Sequence, residues 1–77
     1  MTKLPIISPA KLEKLLFSIG FEKKRQKGSH AFYMHPDGRT TTISHHKGRE
    51  IPRPMVRVIL QEIDLNPNDF NKLLEEL

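Results

Sequence analysis

The tightest constraint in this chain is the tetrapeptide Pro36-Asp37-Gly38-Arg39. Proline presets φ and Asp-Gly supplies the positive φ that short hairpin loops want, so the stretches on either side are expected to pair antiparallel. Upstream, His30 to His35 alternates, with Ala31, Tyr33 and His35 on one face and His30, Phe32 and Met34 on the other. Downstream, Thr40-Thr41-Thr42-Ile43 is rich in β-branched residues and suits a strand. A further strand is expected over Phe21 to Gln26, although its cations spoil the alternation and Phe21 is its one obvious core residue. Gly28 breaks that pattern and permits a tight turn into the next strand. The middle of the chain therefore reads as a three-stranded antiparallel meander.

Such a sheet needs a cover. With 77 residues and no cysteine, no disulfide or thiolate metal site can staple the fold, so helices must bury its apolar face. Ser8-Pro9 has the chemistry of a helix start, a capping hydroxyl followed by a ring that fits the first turn. Leu12, Leu15, Leu16 and Ile19 then recur at i, i+3, i+4 and i+7, and Gly20 stands where a helix about residues 9–19 would end. Val56, Ile59, Leu60 and Ile63 repeat the stripe, with Pro54 near the start of that helix. A last helix is expected from Asn66 as cap, Pro67 at its first position and Asp69 at its third, with Phe70, Leu73, Leu74 and Leu77 as apolar face. His45 to Arg53 reads as a polar, basic loop. The expectation is a single α+β domain over residues 1–77. It has two layers, a three-stranded antiparallel sheet covered by helices, in the order α-β-β-β-α with a short C-terminal helix.

Charge is concentrated in the middle. Lys23, Lys24, Arg25, Lys27, Arg39, Lys47, Arg49, Arg53 and Arg57 face only Asp37 and Glu50, a local net of +7 in a chain whose overall charge is +4. From Val58 onward Lys72 opposes Glu62, Asp64, Asp69, Glu75 and Glu76, a net of −4. An electropositive centre suits a phosphate backbone or an acidic protein, although a merely solvated basic face gives the same count. No apolar run is long enough for a membrane span, and the N-terminus lacks the apolar core of a signal peptide, so a soluble cytoplasmic protein is expected.

Within the basic segment lies Lys27-Gly28-Ser29-His30-Ala31-Phe32-Tyr33. Imidazole exchanges protons near neutral pH, where lysine, arginine and carboxylates mostly do not. His30 could serve as general base on a ribose 2′-hydroxyl, which would attack the adjacent phosphodiester while nearby cations stabilise the charge on phosphorus. RNA brings its own nucleophile, so this chemistry requires no metal. The plainer alternative is a histidine that only hydrogen-bonds near the turn. His35, His45 and His46 do not have the spacing of metal-ligand pairs, and no metal site is expected. Phe32 and Tyr33 could stack on unpaired bases, but at least one of them should belong to the core. There is no phosphate-cradling glycine loop, no dinucleotide fingerprint and no serine-nucleophile motif, so no small-molecule cofactor is expected. Lys24, Arg25 and Lys27 beside the turn, with Lys47 and Arg49 in the later loop, are the expected phosphate contacts. Ser29 joins them as a turn or orienting residue. No side chain stands out as the second proton donor for the leaving 5′-oxygen; His46 or a water could serve.

Taken in order, these features resemble the HicA family of small toxins from bacterial and archaeal type II toxin–antitoxin modules. The resemblance rests on the helix ending Ile19-Gly20-Phe21, the Gly28-Ser29-His30 signature and Tyr33 after it. It continues through His35-Pro36-Asp37-Gly38-Arg39, His46-Lys47-Gly48-Arg49-Glu50-Ile51 and the Ile59-Leu60 helix. It implies a fold like a double-stranded-RNA-binding domain and a metal-independent ribonuclease that cleaves mRNA and arrests translation. It further implies that His30 is the essential residue and that a HicB-type antitoxin covers it. Two positions depart from the pattern. Ser44 stands where proline is common, and Arg53-Pro54 replaces a glycine at the start of the penultimate helix. Two other readings stay open on the residues alone: a non-catalytic RNA-binding module using the same basic sheet and loop, and a protein-interaction domain that docks an acidic partner.

Overall fold

A computed structural model describes residues 3–77. Helix α1 (Pro9–Ser18) leads into strands β1 (Glu22–Lys27), β2 (His30–Met34) and β3 (Thr40–Ser44), followed by helices α2 (Arg53–Glu62) and α3 (Pro67–Glu76). The strands form one antiparallel sheet in the order β1-β2-β3. This is the expected α+β arrangement, with element boundaries displaced by a residue or two.

Local chemistry explains the boundaries. The Ser8 hydroxyl accepts the Lys11 amide N–H at 3.2 Å and starts α1. At the other end, Phe21 N–H donates to the Leu16 carbonyl at 2.9 Å and Gly20 N–H to Phe17 at 3.2 Å. That pair of bonds is a Schellman closure, and Gly20 takes the left-handed conformation it demands (φ 99°). Phe21 thus belongs to the cap rather than to β1, and it is buried. Asn66 caps α3 as expected, accepting Asp69 N–H at 2.8 Å. In the hairpin, Gly38 N–H donates to the His35 carbonyl at 2.9 Å, so Pro36 and Asp37 are the central turn residues. Asp37 accepts the Arg39 backbone amide at 3.0 Å and the Arg39 guanidinium at 2.8 Å. These bonds and the Arg39 charge hold its carboxyl below the usual range.

The core lies on one side of the sheet. Ala31, Tyr33, Thr41 and Ile43 point into it, where they join Leu12, Leu15 and Leu16 of α1, Val56, Ile59 and Leu60 of α2, Ile63 and Phe70. The opposite face, bearing His30, Phe32 and Met34, has no helix over it among the described residues, and its side chains are exposed or half-buried. Two expectations need correction. The segment after β3 is not wholly polar: Ile51 is buried and forms an antiparallel bridge with Ile7, its N–H donating to the Ile7 carbonyl at 2.7 Å. Arg53 reinforces this return, its Nε–H donating to the Leu4 carbonyl at 2.7 Å. Leu77 stays exposed, so Phe70 alone of the last stripe is fully buried, with Leu73 and Leu74 packed at its edge. No helix among the described residues is long and apolar enough to cross a membrane.

Gly20 has a second constraint besides its φ. A Cβ there would lie 2.9 Å from His35 Nε2. That ring cannot swing away cheaply, because Nε2 bonds the Ile19 carbonyl at 3.1 Å, Nδ1 accepts Asp37 N–H at 3.1 Å, and its edge packs on Phe21. Gly38 has a similar φ but open space beyond it. Gly38→Ala should therefore cost about 1–2 kcal/mol, the left-handed penalty alone, and Gly20→Ala distinctly more. Urea unfolding of the two variants side by side measures the difference, and equal losses would mean that the His35 contact contributes nothing.

Candidate functional site

The bare face of the sheet is organised by register. Lys27 pairs with His30 and His30 with Ser44, so the three stand in one row across the end of the sheet. Directly opposed residues project to the same face, which places Lys27 and Ser44 on either side of the His30 imidazole. The His30 side is exposed, as its alternation with buried Ala31 and Tyr33 requires. Its Nδ1 lies 3.4 Å from the Ser44 hydroxyl, a long contact that orients more than it binds. No hydrogen bond from the described residues reaches Nε2.

One row further along, Arg25 opposes Phe32 and its guanidinium lies over the ring, 5.0 Å from the centroid. Of the two aromatics, Tyr33 is the core residue and Phe32 the half-exposed one on the open face. Lys24 occupies the irregularity between Lys23 and Arg25, where β1 carries an extra residue. Its ammonium pairs with Glu22 at 3.0 Å in an exposed contact of small energetic worth. Ser29 contributes its backbone rather than its hydroxyl: its carbonyl accepts the His45 N–H at 2.6 Å. The serine hydroxyl beside the His30 ring is therefore that of Ser44.

The segment following β3 brings one further ring to this row. Arg49 N–H donates to the His46 carbonyl at 3.1 Å, closing a turn that exposes Lys47 and Arg49. The turn brings His46 against His30, ring centroids 6.5 Å apart and nearly perpendicular. His46, Ser44, Thr42, Arg49 and Met55 also border a cleft of about 400 Å³ between the edge of β3 and the start of α2. Of the predicted phosphate contacts, Lys27 stands opposite His30 in the strand register, while Lys47 and Arg49 lie exposed in the loop that carries His46.

Its anchor is a polar cluster that sequence reasoning missed. The fully buried Tyr33 hydroxyl donates to Glu13 of α1, and His45 Nε2 lies 2.8 Å from the same hydroxyl. Because the phenol proton goes to Glu13, Nε2 must carry a hydrogen and donate to the phenol oxygen. Lys23 of β1 pairs with Glu13 at 3.0 Å, and His45 Nε2 lies 3.5 Å from it. Burial alone would raise the Glu13 carboxyl, but the bonds from Tyr33 and Lys23 and the charges of Lys23 and His45 outweigh it and hold it low. Burial, together with the bond to Glu13 and its charge, pushes the Tyr33 phenol far above its ordinary range. The one signal in the sequence was a tyrosine on the core face of β2, whose hydroxyl must find a partner when buried. The three lone histidines do not converge. His35 bonds Ile19, His45 bonds Tyr33 and His46 faces His30.

Residues 9–65 match a family model described as the HicA toxin of bacterial toxin–antitoxin. No curated protein matches the chain.

A carboxyl held low stabilises the fold above its unfolded value, 4.5 for a glutamate, and loses that contribution as pH falls through the lower folded value. Glu13→Gln should therefore flatten the loss of stability below about pH 4.5. Tyr33→Phe should cost about 1.5–3 kcal/mol near neutrality, the worth of a hydrogen bond to a charged partner. Denaturant unfolding across pH 3 to 7 (roughly the range over which carboxyls titrate) checks both, and identical acid limbs for wild type and Glu13→Gln would refute the coupling.

Proposed function

The chain belongs to the HicA toxin family of bacterial toxin–antitoxin modules, and from that premise we propose that it is an endoribonuclease that cleaves mRNA with His30 as general base. Membership carries the role of toxin and, with it, a cognate antitoxin. The cleavage chemistry is the finer reading. The observation that supports it is the exposed His30 imidazole, with Nε2 unengaged, set beside Lys27 on the uncovered face of a basic sheet.

The steps follow from the groups present. A phosphodiester lying along the row would place its phosphate near Lys27, and its 2′-hydroxyl within about 3 Å of His30 Nε2. His30 removes the 2′ proton as the oxygen attacks phosphorus, and the P–O5′ bond breaks to leave a 2′,3′-cyclic phosphate and a 5′-oxygen that takes up a proton. Lys27, on the neighbouring strand, stabilises the negative charge that develops on the phosphoryl oxygens. Ser44 restrains the ring through Nδ1. RNA rather than DNA is the substrate because only the ribose has that hydroxyl. Lys24, Arg25, Lys47 and Arg49 are assigned to strand phosphates, with Ser29 shaping the turn that presents His30 and translation stopping as messages are cut. No metal or organic cofactor enters this chemistry. A HicB-like antitoxin is the proposed partner, and it would silence the toxin by covering the His30 row.

Purified protein should cut single-stranded RNA in EDTA. His30→Ala should lower the rate by at least about 10²-fold, the usual contribution of general acid–base catalysis, while keeping its unfolding midpoint and its RNA affinity. Full activity in that variant would remove His30 from the mechanism; RNA binding without cleavage by wild type would make the chain a binding module. Lys27→Ala and Arg49→Ala should each weaken RNA binding without sequence preference and reduce the slope of log affinity against log salt by about 0.7, the single-strand value per phosphate contact.

A further inference from the structure

We propose that His46 is a second catalytic residue, the general acid that protonates the departing 5′-oxygen during RNA cleavage; this rests on the ribonuclease reading above. Four imidazoles occur in the chain, and two are consumed by the fold: His35 bonds Ile19 through Nε2 and accepts Asp37 N–H at Nδ1, and His45 bonds Tyr33. The other two face each other on the open side of the sheet. His46 is exposed, and neither of its ring nitrogens is engaged by another described residue. Its centroid lies 6.5 Å from that of His30, with the rings at 83°.

That spacing fits a phosphate held between the rings. Each nitrogen must come within about 3 Å of its own oxygen, and the attacking and leaving oxygens lie on opposite sides of phosphorus. A single imidazole cannot reach both at once. The reaction then balances with two. The O2′–P bond forms as the 2′ proton passes to His30, the P–O5′ bond breaks, and the proton of the His46 imidazolium goes to O5′. The products are a 2′,3′-cyclic phosphate and a free 5′-hydroxyl, and the two histidines have exchanged protonation states.

His46 is also held in place by its neighbour. His45 is tied at both its amide, through Ser29, and its ring, through Tyr33, so the residue after it has a fixed starting point. The cleft bordered by His46 is lined also by Thr42, Ser44 and Met55, and under this proposal it accepts the nucleoside that departs.

The test uses two RNA substrates of the same sequence, one ordinary and one with sulfur replacing the bridging 5′-oxygen at the cleaved bond. A thiolate leaves without being protonated, so the sulfur substrate needs no general acid. His46→Ala and His46→Gln should cut ordinary RNA about 10²-fold more slowly than wild type and cut the sulfur substrate at nearly the wild-type rate. His30→Ala should stay slow on both, because its proton transfer is at the 2′-oxygen. Equal losses for the His46 variants on the two substrates would overturn the assignment and make His46 a binding or structural residue. Wild-type rates on both would also overturn it. If wild type cuts neither substrate, the ribonuclease reading itself fails and this assignment falls with it; if His30→Ala cuts ordinary RNA normally, His30 leaves the mechanism and the paired role of His46 is overturned.

Discussion

The tether from Glu13 through Tyr33 to His45 is the interaction on which the arrangement of the site depends. It joins α1, β2 and the segment after β3 at one buried oxygen, and Lys23 of β1 completes it. Each partner is needed to satisfy another. The phenol is buried and would be costly unpaired, the carboxylate is partly buried and accepts from both Tyr33 and Lys23, and the imidazole donates to the phenol. The functional consequence lies outside the core. With His45 fixed on the helix side of the sheet, the next residue is directed to the other side of the chain, and His46 meets His30 there.

The two faces of the sheet divide the work by the period-2 geometry of strands. On β2, Ala31 and Tyr33 fill the core while His30, Phe32 and Met34 face outward. A shift of register by one residue would bury His30 and expose Tyr33, so the packing that selects the register also selects which imidazole is accessible. The hairpin holds that register from one end, where His35 N–H donates to the Arg39 carbonyl at 2.9 Å. The Ser29–His45 backbone bond holds it at the other. Stability and accessibility of the site are thus set by the same alternation.

This division explains what was legible in the sequence. Elements with their own local chemistry could be read directly: the Ser8 and Asn66 caps, the Gly20 closure, the Pro36-Asp37 turn, and the alternation that sends His30 outward. The pairing of Lys27 with His30 follows from those elements. What could not be read were partnerships between distant positions. Nothing near Tyr33 indicates that its hydroxyl will meet Glu13, twenty residues earlier, or that His45 will come to the same oxygen. Ile51 looked like part of a polar loop because its burial depends on Ile7, which belongs to no strand or helix. Ser29, adjacent to His30 in sequence, was the expected orienting residue, and only the β2–β3 register brings Ser44 beside the ring.

The basic strand β1 illustrates how one composition meets two demands. All six of its residues are exposed and it forms an edge of the sheet. An exposed edge is open to pairing with other chains, and lysines together with a bulge are standard protection against it. That requirement alone would account for Glu22-Lys23-Lys24-Arg25-Gln26-Lys27 without any partner. Its side chains are not equivalent, however. Lys23 and Lys24 are committed to Glu13 and Glu22, and Arg25 lies over Phe32. Lys27 alone among these cations is paired with no carboxylate and stacked on no phenyl ring among the described residues, and it is the one opposite His30. Edge protection explains why the strand is charged. It does not explain why its one uncommitted ammonium stands in the row of the histidine, which is where a phosphate-binding role would require it.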